Sequence, residues 1–130
     1  MPQFITLCVI NVMKKLLVTG YSGFVGKHLL SRYKTLENIN LLGRGKFPKA
    51  NDCLFADIDS TSNYSSILEG VDVVIHIAAI TNVMDNSLDD SLSIYREVNT
   101  AGTINLAKQA AEAGSKRFIF ISSIKVNGES

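Results

Sequence analysis

Lys15-Leu16-Leu17-Val18-Thr19-Gly20-Tyr21-Ser22-Gly23-Phe24-Val25-Gly26-Lys27-His28-Leu29-Leu30 is the stretch whose reading decides the fold. It opens as a short apolar run, Leu16 to Val18. It continues through glycines at 20, 23 and 26 and passes into a helical pattern with Val25, Leu29 and Leu30 on one face. Strand, glycine turn, helix is the context in which such spacing points to a dinucleotide. Gly20 takes the backbone angles of a tight turn leaving the strand. Gly23, lacking Cβ, lets the main chain approach a pyrophosphate, and Gly26 lets the first helical turn pack closely on the strand. The N–H groups and positive dipole end of the helix then face the phosphates. The plainer reading is a glycine-rich turn joining any strand to any helix, so the rest of the chain has to decide between them.

Composition narrows the class. The 130 residues make one domain, and 46% are apolar against 19% charged, as for a parallel sheet covered on both faces. A net charge of +1, without a basic stripe or acidic tail, gives no support for nucleic acid or an anionic membrane surface as partner. Cys8 and Cys53 have no metal-ligand spacing, and reduced thiols in the cytoplasm are the simplest expectation. Phe4 to Val12 is apolar but too short to span a bilayer, and its lysines follow rather than precede it. Residues 1–12 read as an apolar extension upstream of a natural start at Met13, with an added edge strand as the alternative.

Along the chain, a helix is expected from about Gly23 to Tyr33 or Lys34, a buried strand over Ile39 to Leu42 ending in Gly43-Arg44-Gly45, and a third strand over Asp52 to Ala56. Asp59 or Ser60 is placed to cap a short helix through Ile67 and Leu68, which Gly70 ends. Val71 to Ile77 is the clearest buried strand. A long helix is expected over roughly Leu88 to Ala113, with Leu92, Tyr95, Val98, Gly102 and Leu106 near one face and Gly114 stopping it. Arg117 to Ser122 is the fifth strand. Strict alternation of strand and helix implies an α/β Rossmann-type doubly wound parallel sheet, order 3-2-1-4-5, truncated after the fifth strand.

Five segments then agree in order and context: Thr19 with the Gly-x-x-Gly-x-x-Gly loop, Asp57-Ile58 after strand three, and His76-Ile77-Ala78-Ala79 closing strand four. The others are Val98-Asn99-Thr100-Ala101-Gly102-Thr103 in the long helix and Ser122-Ser123-Ile124-Lys125-Val126-Asn127-Gly128 after strand five. Together they resemble the extended short-chain dehydrogenase/reductase family, in its nucleotide-sugar epimerase/dehydratase group, over about residues 14–130. The resemblance implies an amino-terminal fragment, residues 13–130 being a partial NAD(P)-binding domain. It also implies that Gly20, Gly23, Phe24, Val25 and Gly26 cradle the pyrophosphate. By the same resemblance Asp57 would accept from the adenine amino group, with Ile58 giving a backbone contact, although a bare Asp57 also reads as a turn residue. The resemblance further places Ala78, Ala79 and Thr81 where the cofactor would pass the end of strand four, and Asn99 near the cofactor and active-site backbone. The full-length form is expected to be a homodimer acting on a nucleotide sugar.

His76 is tempting as a base, but its place in a buried strand argues for a satisfied core histidine. Arg44 stands where NAD-preferring enzymes place an acid, and this leans the reading from NAD towards NADP. Family chemistry uses Ser or Thr, Tyr and Lys in reversible hydride transfer, and Ser123 matches the Ser position. Tyr21, Tyr33, Tyr64 and Tyr95 are followed at the fourth position by Val25, Glu37, Leu68 and Asn99, so none forms the Tyr-x-x-x-Lys pair. The fragment is therefore expected to be inactive alone, and marginally stable because strand five is left as an apolar edge. A non-catalytic dinucleotide sensor and a reductase of small carbonyl compounds stay open as alternatives.

Overall fold

In the computed structural model, residues 14–77, 92–94 and 96–121 are described. The glycine stretch forms strand β1 (Leu16–Thr19) and helix α1 (Phe24–Ser31). There follow β2 (Ile39–Gly43), β3 (Asp52–Phe55), the short α2 (Ser65–Leu68) and β4 (Val73–His76). A π-helical segment (Arg96–Gly102) leads directly into α3 (Thr103–Glu112), and β5 (Arg117–Phe120) closes the sheet. The strands pair in parallel in the expected order β3-β2-β1-β4-β5, although the alternation is not strict: β2 and β3 are joined by a loop over residues 44–51 with no helix.

Side-chain alternation along the central strands builds two cores. Leu17, Leu42 and Val74 point to one face, where Ile67 and Leu68 of α2 and Leu106 and Ala110 of α3 cover them. Val18, Ile39 and Leu41 point to the other, against Leu29 and Leu30 of α1. Asn40, buried in β2, donates from Nδ2 to the Ile67 carbonyl (2.8 Å) and accepts from Asn51 Nδ2 (2.7 Å), so its burial carries no unpaired amide. Among the described residues, no helix is long and apolar enough to cross a membrane.

Several boundaries differ from expectation. The first helix ends at Ser31 with Arg32 as its cap, and its buried face is Gly26, Leu29 and Leu30, while Val25 is 48% exposed. The helix crosses the strand at its one residue without a side chain, and this turns Val25 outward. Neither Asp59 nor Ser60 caps α2, whose N-cap is Tyr64 with no side-chain bond. Both side chains are engaged elsewhere: Asp59 Oδ1 accepts from Thr61 N and Ser62 N, and the Ser60 hydroxyl donates to Glu97 in the π segment. The long helix is not uniform, because its middle is widened into the π segment, and Leu92 is 45% exposed rather than on the covered face. The strand expected over Val71 to Ile77 is confined to Val73–His76. Residues 1–12, Met13, Leu88 and Tyr95 lie outside the described residues.

Candidate functional site

The carboxyl ends of β1, β2 and β3 open onto a cleft of about 490 Å³. This is the carboxyl edge of the sheet, on the β2–β3 side of the switch point that lies between β1 and β4. Gly20 leaves β1 with φ of +70°, a left-handed conformation that favours glycine. A Cβ on Gly26 would overlap the Gly20 carbonyl oxygen and come within 2.6 Å of Tyr21 Cα, so close helix–strand contact requires glycine there. Gly23 differs. Its φ of −81° and ψ of 179° suit any residue, and a Cβ would meet nothing nearer than the Gly20 oxygen at 3.7 Å. The protein's own packing thus leaves room for a side chain at Gly23, and the space it leaves empty lies at the start of α1. The N-cap, Gly23, has no side chain to cap that start, and no acidic residue lies in its first turn. Backbone donors and the positive end of the helix dipole remain open to an anion. A pyrophosphate fits this arrangement.

Tyr21 holds the next wall of the cleft. Its buried ring stacks on Phe47 (centroids 5.3 Å apart), and its hydroxyl donates to the Gly45 carbonyl at 3.0 Å. A Cβ on Gly43 would lie 2.8 Å from Tyr21 Cε1, so the loop after β2 is seated on this ring. Burial pushes the Tyr21 phenol above its ordinary pKa, keeping it a neutral donor. That loop presents Arg44, whose Nε lies 2.9 Å from Asp57 Oδ1 in the loop after β3. The two residues singled out from sequence for opposite sides of an adenosine are therefore paired with each other at the cleft rim. Their side chains are 70% and 57% exposed, and a pair so exposed is worth about 0–1 kcal/mol. A ligand can open it cheaply.

The loop carrying Asp57 and Ile58 is gripped from below. Tyr64, fully buried, donates its hydroxyl to the Asp57 carbonyl at 2.6 Å and accepts from Asp59 N at 3.1 Å. Asn105 Nδ2 donates to the Asp59 and Ser62 carbonyls (2.9 and 3.0 Å). Gln109 donates to Ser62 O at 2.8 Å and accepts from Tyr64 N at 2.7 Å. Glu97 in the π segment accepts from Ser60 N at 2.7 Å and from the Ser60 hydroxyl, bonds that hold its carboxyl below the usual range. Burial acts to raise Asp59, but the hydrogen bonds from Ser62 and Thr61 outweigh it and leave its pKa lowered. Gly102 ends the π segment where a Cβ would lie 2.7 Å from Ile58 Cγ2 and 3.0 Å from Asp59 N. The wide turn and the glycine together let the helix press directly on the loop.

His76 is fully buried, with Nδ1 at 2.7 Å from Thr19 Oγ1 and Nε2 at 2.9 Å from Thr103 Oγ1. Burial lowers its pKa to about 4, so the ring is neutral, donating to one threonine and accepting from the other. It ties β1 and β4 to α3 and is not a base facing the cleft. Of the residues singled out from sequence, Gly20, Arg44, Asp57 and Ile58 line the cleft, and Gly23, Phe24, Val25 and Gly26 form the helix start beside it. Asn99 is half-buried in the π segment; its neighbour Val98, rather than Asn99, lines the cleft. Ala78, Ala79, Thr81 and Ser123 lie outside the described residues. Sequence reasoning passes over Tyr21, Tyr64, Asn105 and Gln109. It tests the tyrosines only against a Tyr-x-x-x-Lys spacing. The i,i+4 spacing of the amides on α3 is the available signal.

Comparison with known proteins identifies the family and agrees with the fold. The family model described as "NAD dependent epimerase/dehydratase family" matches residues 16–130. The chain is 47% identical over 121 residues to a UDP-glucose 4-epimerase of Vibrio cholerae, covering 89% of this chain and 37% of that protein. It is 32% identical over 130 residues to a 3 beta-hydroxysteroid dehydrogenase/Delta 5-->4-isomerase of Mycobacterium tuberculosis, covering 86% of this chain and 32% of that one. Among solved structures, MoeE5 in complex with UDP-glucose and NAD superposes with a TM-score of 0.73 at 25% identity, over 89% of this chain and 38% of that chain. The chain thus spans about a third of the length of the curated relatives it matches. With its family model covering nearly all of it, the chain belongs to the NAD dependent epimerase/dehydratase family.

Proposed function

We propose that residues 13–130 are the NAD(P)-binding part of a nucleotide-sugar epimerase or dehydratase, UDP-glucose 4-epimerase-like, that works by transient hydride transfer. The observation that carries the reading is the start of α1: an uncapped helix end whose glycine the fold itself does not require. The 47% identity to a UDP-glucose 4-epimerase supports the substrate class. Gly20 to Gly26 would hold the pyrophosphate on backbone N–H groups. Arg44, Asp57 and Ile58 would meet the adenosine end, and Arg44 supports acceptance of NADP as well as NAD. Ala78, Ala79, Thr81 and Asn99 would line the rest of its path. When bound, the nicotinamide supplies a reversible hydride acceptor. Ser123 would hold the substrate oxygen by its hydroxyl.

None of the tyrosines in this chain has a lysine four residues on, so it carries no acid/base pair of the family's kind. The chain alone is accordingly proposed to bind dinucleotide without turning over a sugar nucleotide. The whole enzyme is proposed to be a cytoplasmic homodimer, and residues 1–12 an apolar extension ahead of the domain. A second reading, a reductase of the same family acting on a small carbonyl compound, is favoured by the 32% identity to a 3 beta-hydroxysteroid dehydrogenase/Delta 5-->4-isomerase. Calorimetric titration of the purified chain with NAD and NADP, alongside an assay with UDP-glucose, tests the proposal. Dinucleotide binding without turnover is expected; no binding of either dinucleotide, or turnover by this chain, would overturn it.

A further inference from the structure

Tyr64 stands behind the loop that carries Asp57 and Ile58, fully buried and outside the lining of the cleft. Its one hydroxyl engages the chain on both sides of Ile58: it donates to the Asp57 carbonyl at 2.6 Å and accepts from Asp59 N at 3.1 Å. The peptides flanking Ile58 are trans, and a planar trans peptide sets its C=O and its N–H on opposite sides. The Asp57 carbonyl is turned back to Tyr64. The N–H of the same peptide, that of Ile58, is therefore turned the other way, towards the cleft that Ile58 lines. This N–H makes no hydrogen bond among the described residues. Resting on the dinucleotide reading above, we infer that Tyr64 is a positioning residue for the adenine, its hydroxyl aiming the Ile58 N–H at the ring nitrogen N1.

The hydroxyl is equipped to hold that aim. Burial raises the phenol above its ordinary pKa, so it keeps its proton and donates and accepts at once. The Tyr64 backbone is fixed as well: its N–H donates to Gln109 Oε1 at 2.7 Å, and Gln109 Nε2 is braced by Asn105 Oδ1 and the Ser62 carbonyl, both at 2.8 Å. The loop thus meets a ligand with its donor already oriented, which lowers the ordering cost of binding. Adenine presents N1 as an acceptor, beside the amino group proposed for Asp57. In hypoxanthine N1 carries a proton, and the same N–H would face a donor.

Calorimetric titration of the full chain with NAD and with nicotinamide hypoxanthine dinucleotide reads the aim as a ratio of affinities. The wild-type chain is expected to prefer NAD by about tenfold or more, one hydrogen bond gained against one donor left unpaired. Y64F keeps the ring in the core and removes only the hydroxyl. It is expected to lose about fivefold to tenfold in NAD affinity while affinity for the analogue changes by less than about twofold. Q109A keeps the hydroxyl but releases the Tyr64 backbone; it is expected to lower the ratio by about threefold, and this arm decides should Y64F fail to fold. V74A weakens the same core without touching the loop and should leave the ratio as in wild type. Equal binding of both dinucleotides by the wild-type chain, an unchanged ratio in Y64F (or in Q109A, should Y64F not fold), or an equal fall in V74A overturns the inference while leaving dinucleotide binding intact. Failure of the wild-type chain to bind either dinucleotide would instead remove the functional reading, and this inference with it.

Discussion

Acidification should destabilise this fold through His76 before its carboxylates protonate. The ring is fully buried, and both nitrogens are bonded to threonines, at 2.7 and 2.9 Å. Its folded pKa is about 4 against an ordinary 6.5. Between those values the unfolded chain binds a proton that the folded chain refuses, so stability falls as pH falls. The loss begins near pH 6.5 and is complete below pH 4. At 1.36 kcal/mol per unit, the depression amounts to about 3 kcal/mol in all and about 2 kcal/mol by pH 5. Asp59 and Glu97, both lowered, stabilise above the ordinary carboxylate range and lose that contribution only at lower pH. Urea unfolding at fixed pH values from 8 to 4.5 would read the effect as a falling midpoint at constant slope. H76Q removes the titrating group, so its stability should be nearly flat over the same window, from a lower starting value. A wild-type midpoint that does not move between pH 7 and pH 5, or an equal slope in H76Q, would refute the burial argument.

Other outcomes follow from the packing. G26A forces a methyl group onto the Gly20 and Tyr21 backbone, which cannot rotate away; an overpacking loss of about 1–3 kcal/mol is expected in denaturant titration. Q109A removes the acceptor of Tyr64 N and a donor to Ser62 O, and should cost roughly 1–2 kcal/mol by the same measurement. On β5 and directly after it, Ile119, Phe120 and Ile121 are 42%, 47% and 40% exposed at the end of the sheet order. The chain should therefore associate as its concentration rises, and I119K should shift sedimentation towards monomer.

The sheet order is legible because each central strand is a short apolar run bounded by turn residues, with a helical pattern between strands everywhere except from β2 to β3. The glycine loop is legible for the same reason: Gly20 and Gly26 answer to backbone conformation and close approach, which leave a mark on residue type. His76 can be set aside as a base from its place in a buried strand, and its two threonine partners account for that burial. What spacing cannot reveal is which polar groups meet across the fold. Arg44 and Asp57 sit on separate loops, and nothing in either stretch points to the other. Asp59 looks like a helix cap because it precedes a helical stretch, yet the nearest free N–H groups belong to its own turn, at Thr61 and Ser62. The π segment is invisible in sequence because a widened turn keeps helical composition; only the close approach of Gly102 to Ile58 shows why the widening is useful. Val25 turns outward because the helix rotates about Gly26, a residue that contributes nothing to an apolar count.

The central claim is that Gly23, at the start of α1, is kept for a pyrophosphate and not by the protein's own packing. G23A tests it most directly, since alanine fits the backbone angles there and meets no atom closer than 3.7 Å. The poorer N-cap and the reduced freedom of the unfolded chain offset each other, so stability should change by less than about 1 kcal/mol. In parallel calorimetric titrations with NAD, the wild-type chain should bind and G23A should lose at least about tenfold in affinity, because the methyl group occupies the space of close main-chain approach. A G23A chain that binds NAD as tightly as wild type would contradict the claim.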